Sequence, residues 1–461
     1  MIFPKKHPAF ARLPKKLTIS FPIWGLFDTP GETAAYHDLD QFVREHVERG
    51  FNCIRLDGGA GLTHDKNGIP LGPVAIGDPF GQYSCVLRQM NCTGDGGKCD
   101  ILERLISLCK SAKKHGVYLI LSSWYYLHTF WLLHDEQINA TLFSIPPHQR
   151  FMFFAQQLDY ILLELEKQGL DDSIAFAEIF NEADGLFFIN SYGRNRLDKE
   201  ELEQFRNEHE AAISMLQKKH PHILFAFDSY SPWADPNQIP RNLQVFNFHN
   251  YFMWDVYRNT IEKMPEFSTD ILTPEDVRQP RAGRRPTEDD LLSCAVDHVG
   301  RDCAESETFK STPIPRLKED YAYFLSDLSA WYARIAVYYN LDRTKFPEIE
   351  SLLEKTLQDN YLTYLEEINK KLDKVSKFRE AFPDIPIVCG EGVSYIGSKH
   401  LLWEEKSETY WHLVEQAILK YKKFGLWGTV IRTCCGPEDP CWTMCPNRLR
   451  QINELFLAED G

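Results

Sequence analysis

The sequence predicts an α/β fold, a (β/α)8 barrel, and three observations carry that expectation. Apolar runs of strand length alternate with amphipathic helical stretches through the first half of the chain. The alternation resumes near the C-terminus after a long strandless interval, which brings the strand-like runs to eight. No Gly-rich phosphate turn follows any of these runs, which disfavours an open doubly wound sheet, the rival architecture.

Each element has its own justification. LTISFPIWGLF (17–27) is an apolar, β-branched run. In YHDLDQFVREHVERG (36–50), Leu39, Phe42, Val43 and Val47 recur at helical spacing and Gly50 supplies the stop. FNCIRLDGG (51–59) is a short strand running into glycines, and a polar, glycine-rich loop follows to about residue 98. ILERLISLCKSAKKHG (101–116) is a helix closed by glycine, and VYLILSSWYY (117–126) is the next strand. Helices at 150–169 and 197–221 then alternate with strands at 173–182 and 222–231, and LQVFNFHNY (243–251) is the sixth strand. Residues 252–380 contain no convincing strand, but helical patterns run from about 317 to 381. IPIVCGEGVSY (385–395) and LWGTVIRTCCG (426–436) are strands seven and eight, with the helix WHLVEQAILKYKKFG (411–425) between them. The expected organisation is one catalytic barrel domain over 1–461, with 252–380 a mainly helical insertion inside it.

Composition narrows the function classes. Hydrophobic content of 43% and charged content of 25% are those of a soluble globular protein. A formal charge of -15 argues against nucleic acid or an anionic membrane surface as partner. The N-terminal MIFPKKHPAFARLPKK is basic without the apolar core of a secretion signal, and no run approaches the ~20 residues that span a bilayer. A cytoplasmic location is the expectation, and the 12 cysteines are then expected as thiols. Neither Cys85, Cys92 and Cys99 nor Cys434, Cys435, Cys441 and Cys445 has zinc-knuckle spacing, so no metal or other cofactor is expected.

In a barrel of this kind the site forms at the carboxyl ends of the strands. The residues there are Asp28, Arg55, Asp57, Trp124, Tyr125, Asn181, Glu182, Asp228, His249, Tyr251, Glu391 and Arg432. Two carboxylates stand out, Glu182 after the fourth strand and Glu391 after the seventh. Glycoside hydrolysis needs such a pair, one to protonate the leaving oxygen and one to attack the sugar carbon or activate water. Arg55 and Tyr251 are the expected partners of Glu391, and Asn181 a donor to the sugar 2-hydroxyl. Arg55 could instead serve Glu178 as a structural ion-pair partner, and His249 could be a satisfied polar group. Trp442 lies in a loop-like stretch and is expected to stack on sugar, with Trp124 and Arg432 as further substrate contacts.

Four of these segments together resemble the clan A retaining glycoside hydrolases, the cellulase-like family five, whose fold is the TIM barrel. "GFNCIRL" (50–56) is similar to that family's second strand, which ends in an arginine beside the nucleophile. "EIFNE" (178–182) matches its E-x-x-N-E, "HNY" (249–251) its H-x-Y, and "PIVCGEG" (386–392) resembles its nucleophile strand. The resemblance implies Glu182 as acid/base, Glu391 as nucleophile and a β-glycoside or oligosaccharide as substrate. The chain departs from the pattern with Ala183 where proline usually follows the acid, and with SSWYY (122–126) where a histidine commonly ends strand three. It departs again at Val393, where glycine is expected, and at Arg432 in place of a platform tryptophan. A transglycosidase with the same pair and a noncatalytic carbohydrate-binding barrel are the alternatives. A metal-dependent sugar-phosphate barrel is weaker, because no strand end reads as a His/Asp/Glu cluster. The long insertion, leaving at Tyr251 and returning before Glu391, implies a walled pocket and exo action on short oligosaccharides.

Overall fold

The computed structural model describes residues 7–22, 25–27, 36–76, 97–124, 136–184, 198–230, 237–253, 256, 343–393, 402–433, 435–437 and 439–459. Eight parallel strands close into a barrel in sequence order. They are β1 (Leu17–Ser20), β2 (Cys53–Asp57), β3 (Tyr118–Ser122) and β4 (Ile174–Glu178). The second half supplies β5 (Phe225–Ser229), β6 (Val245–Asn250), β7 (Ile387–Gly392) and β8 (Gly428–Val430). Closure comes from β1, which pairs with β2 on one side and β8 on the other. Val74–Ile76 and Gly97–Cys99 form a separate antiparallel pair after β2. Nearly every strand residue is buried, as expected of strands covered by helices outside and by side chains within.

The helices stand where apolar spacing predicts them, and several begin at residues that cap them. They are α1 (Leu39–Glu48), α2 (Ile101–His115), α3 (Arg150–Lys167) and α4 (Lys199–Lys219). After β6 come α5 (Phe346–Ala381), α6 (Glu408–Phe424) and α7 (Pro446–Leu457). Asp38 and Asp100 accept first-turn N–H groups, and Asp198 with Glu201 closes a reciprocal capping box. Gly116 and Gly425 end α2 and α6 in the left-handed conformation that glycine adopts without strain.

Several strands are shorter than their apolar runs. β1 stops at Ser20, two residues before Pro22, which has no N–H to donate to a ladder. β4 stops at Glu178 because the chain turns over the barrel rim, with Glu182 at φ 50°. Of the expected insertion, Phe346–Ala381 is a helix of 36 residues, while 257–342 lie outside the described residues.

One irregularity bears directly on the site. Phe248 pairs with Cys389 but His249 pairs with Glu391, so Gly390 is the extra residue of a bulge. A side chain at Gly390 would point at the Asn247 amide, so Gly390 and Glu391 both lean toward the barrel interior. The bulge breaks strand alternation and turns Glu391 inward. Asn247 cannot move aside cheaply, because its amide donates to Glu178 at 2.6 Å. Gly390→Ala is therefore expected to lower the unfolding free energy by about 1–3 kcal/mol. Denaturant unfolding of variant and parent checks this, and an unchanged midpoint would contradict the bulge packing.

Candidate active site

Arg55 rises from β2 into the barrel interior with its side chain fully buried. One guanidinium N–H donates to Glu391 at 2.9 Å. Another meets Glu178 at 2.9 Å, the Asn181 side-chain oxygen at 2.7 Å, and Asp228. The rings of Phe21 and Trp124 lie 5.0 and 4.8 Å from the guanidinium carbon, so its faces are covered too. Burial would lower the Arg55 pKa, but Glu178, Asp228 and Glu391 outweigh it and hold the group above its ordinary value.

One arginine cannot neutralise three buried carboxylates, and the second cation is His249. Its Nδ1 lies 2.7 Å from a Glu182 oxygen and its Nε2 3.0 Å from Asp228. Burial works against a charged imidazole, yet Asp228 and Glu391 raise its pKa well above the ordinary histidine value. Asp228 responds in kind: burial pushes its carboxyl up, but His249 and then Arg55 bring it below the usual range. Glu178 goes the other way, raised by burial despite Arg55. The cluster thus sorts its own protons by position.

Above this layer two carboxylates face each other. Oxygens of Glu182 and Glu391 and a nitrogen of His249 all lie within 4.8 Å of one another. Glu391 is held from below by Arg55 and from the side by the Tyr251 hydroxyl, which donates at 2.5 Å. Thr433 tightens that corner, its hydroxyl 3.3 Å from the Tyr251 oxygen and 2.8 Å from the Gly392 N–H that it accepts. Glu182 sits in the left-handed region, a conformation that costs a non-glycine residue about 1–3 kcal/mol and that surrounding structure must enforce. The enforcement is visible: the Ala183 N–H donates to the Asp228 carbonyl at 3.1 Å. Asp184 accepts from the Ser229 hydroxyl and the Tyr230 N–H, each at 2.7 Å. Proline at 183 could make no such bond.

The structure brings together Arg55, Asn181, Glu182, Asp228, His249, Tyr251 and Glu391, with Trp124 against Arg55, and places Arg432 and Trp442 in contacts of their own. Trp124 is only 2% exposed and its ring covers one side of the Arg55 guanidinium. Arg432 is buried in ion pairs with Glu404 at 2.7 Å and with Glu405 and Asp439 at 3.0 Å. That cluster holds its guanidinium buried, at 1% exposure. Trp442 is 1% exposed, stacks on Phe51, lies under Arg49 and donates to Glu45 at 2.7 Å. It anchors the C-terminal segment to α1 and is no sugar contact. His249 contacts Glu182 and Asp228. Asp57 accepts from Gly59 at 2.8 Å and Trp124 at 3.1 Å, bracing two strand ends. Asp28 and Tyr125 lie outside the described residues. Sequence reasoning missed Asp184, Asn247 and Thr433; the adjacency of Asp184 to the Asn-Glu pair was the available signal.

The trio of Glu182, His249 and Glu391 also corrects the expectation that no strand end gathers metal-type ligands. A metal needs an imidazole lone pair, whereas both His249 nitrogens lie within 3.0 Å of carboxylate oxygens and those carboxylates raise its pKa, which favours the protonated ring. The trio fits an ion-paired cluster better than a coordination sphere.

No protein-family model matches the chain, and no curated protein matches it. Among solved structures it is similar to a presumed glycoside hydrolase from Parabacteroides distasonis. The two are 17% identical, with a TM-score of 0.56 over 96% of this chain and 93% of that one. A glycoside hydrolase family 5 enzyme from Prevotella bryantii aligns over 98% of each chain at 12% identity and a TM-score of 0.46. At such identities the likeness is one of fold, and the first comparison agrees with the eight-stranded barrel.

The strand-end clamp makes a pH prediction. Burial raises the Asp184 carboxyl from 3.8 to about 7, against the Ser229 and Tyr230 bonds that favour its anion. The folded chain therefore keeps a proton that the unfolded chain has released, so this group makes stability fall as pH rises from about 4 to about 7. Asp184→Asn mimics the protonated acid and should remove that fall. Unfolding midpoints at pH 5 and pH 8 should diverge in the variant's favour on the alkaline side. Parallel pH profiles would contradict the shift.

Proposed function

We propose that this protein is a retaining glycoside hydrolase acting on β-glycosides. The observation that carries the reading is the facing pair, Glu182 and Glu391, with oxygens within 4.8 Å in a buried polar layer. Retaining glycosidases hold their carboxyl groups about 5–5.5 Å apart, whereas inverting ones leave about 6.5–9.5 Å for a water between them. The four sequence segments that resemble cellulase-like enzymes support the same assignment, and the β-configuration rests on that resemblance alone.

In this mechanism Glu391 attacks the anomeric carbon while Glu182 delivers a proton to the departing oxygen. The bond to the leaving group breaks and an ester between sugar and Glu391 forms. Glu182, now a carboxylate, takes a proton from water, and the resulting hydroxyl group displaces Glu391 with a second inversion. Arg55 and Tyr251 stabilise Glu391 as an anion before attack and as the departing carboxylate afterwards. His249 donates to Glu182 and, backed by Asp228, steadies the negative charge left there after proton transfer. Asn181 accepts from Arg55 through its oxygen, and the reading assigns its amide to the sugar 2-hydroxyl. No step calls on a cofactor.

The finer reading is exo action on short oligosaccharides. Its support is α5, long and packed beside the β6 and β7 ends through Lys371, whose Nζ donates to the Tyr251 carbonyl. A helix on that side narrows the approach to a chain end.

A panel of nitrophenyl glycosides tests the whole reading. Glu391→Gln should abolish turnover, while Glu182→Ala should lose about 10²–10⁴-fold on poor leaving groups and far less on activated ones. Azide should restore Glu182→Ala and give a β-glycosyl azide. Chelator-sensitive activity, or an active Glu391→Gln, would overturn the assignment. Single sugars released from oligosaccharide ends support exo action, and a rapid fall in glucan viscosity would refute it.

A further inference from the structure

α5 reaches the proposed site through one side chain. Lys371 lies two-thirds along the helix, flanked by the buried Ile368, Leu372 and Val375. Among the described residues, the last backbone bond joining β7 to β6 runs from the Val393 N–H to the Asn250 carbonyl at 3.2 Å. The next carbonyl, that of Tyr251, accepts from the Lys371 ammonium at 2.9 Å. Tyr251 is the residue whose hydroxyl holds Glu391.

The ammonium is in an expensive place. Its acidic neighbour one turn back, Glu367, is already ion-paired with Lys370 at 2.9 Å, and Lys374 adds repulsion. Burial accordingly lowers the Lys371 pKa to about 8, with Glu367 offsetting only part of the cost. A leucine or methionine would suit the helix face better if packing were its only task. What lysine adds is a charged donor that fixes a backbone carbonyl beside the candidate nucleophile.

We infer that Lys371 is a positioning residue: by holding the main chain at residue 251 it sets the Tyr251 hydroxyl against Glu391, tying the β6–β7 connection to the chemistry. The inference rests on the glycosidase reading for its catalytic consequence, but the coupling of Lys371 to Tyr251 stands on geometry alone.

Two measurements decide it. In a double-mutant cycle, Lys371→Met should lower kcat about tenfold and leave KM within about twofold, the loss of one charged hydrogen bond acting through Tyr251. In a Tyr251→Phe background the same change should cost less than about twofold, and Lys371→Arg should recover most of the activity. Losses that multiply in the double variant, or a fully active Lys371→Met, would overturn the inference. Should Lys371→Met fail to fold, Lys371→Gln carries the same cycle.

The second measurement needs no turnover. With 3-fluorotyrosine incorporated, the Tyr251 fluorine resonance is the one missing from Tyr251→Phe, and it should shift in the Lys371 variant. A shifted resonance in a protein inactive on every glycoside would sink the glycosidase reading while leaving the coupling intact. An unmoved resonance would sink the coupling whatever the activity.

Discussion

At the centre of this barrel is a guanidinium that cannot lose its proton, shared by three carboxylates with no water layer between. Removing the guanidinium from such a group would leave buried carboxylates uncompensated, at a cost of about 3–5 kcal/mol. The arrangement therefore fixes strands β2, β4, β5 and β7 against one another at the height where Arg55 sits. Everything above that height inherits its geometry. Glu391 is pinned by its bond to Arg55, Asp228 is left to face His249, and His249 is left to face Glu182. The two facing carboxylates differ because their partners differ: one touches a permanent cation and a phenol, the other a histidine whose pKa its carboxylate neighbours raise.

Much of this was legible in the sequence because a barrel converts position along a strand into height. Arg55, Glu178, His249 and Glu391 sit on apolar strands, and a polar residue on such a strand must find a partner or a solvent opening. The question of whether Arg55 serves Glu178 or Glu391 had no single answer, since it serves both. Residues beyond strand ends were harder. Arg432 and Trp442 follow β8 in a segment that folds back toward α1, and no local periodicity signals that return. The Gly390 bulge was equally invisible, because one extra residue in a ladder leaves the apolar pattern unchanged. Strand lengths were overestimated wherever an apolar run continued past the last ladder bond.

The departures from the cellulase-like pattern have physical content. Ala183 permits a backbone bond to β5 that proline forbids, so the strained turn at Glu182 is held by hydrogen bonding. Trp124 fills the place of a polar strand-three residue and shields Arg55 from that side. Val393 accepts a positive φ of 67° that a β-branched residue resists, directly after the strand carrying Glu391. Each change preserves the two carboxylates while altering what surrounds them.

The account turns on which carboxylate becomes bonded to sugar. A panel of activated 2-deoxy-2-fluoro-β-glycosides slows the second displacement and lets the glycosyl-enzyme accumulate, so peptide mapping by mass spectrometry can locate the added sugar. The account predicts one sugar per chain, on the peptide containing Glu391 and on that residue. A label on Glu182, or turnover whose first-formed product has the inverted anomeric configuration, would contradict it.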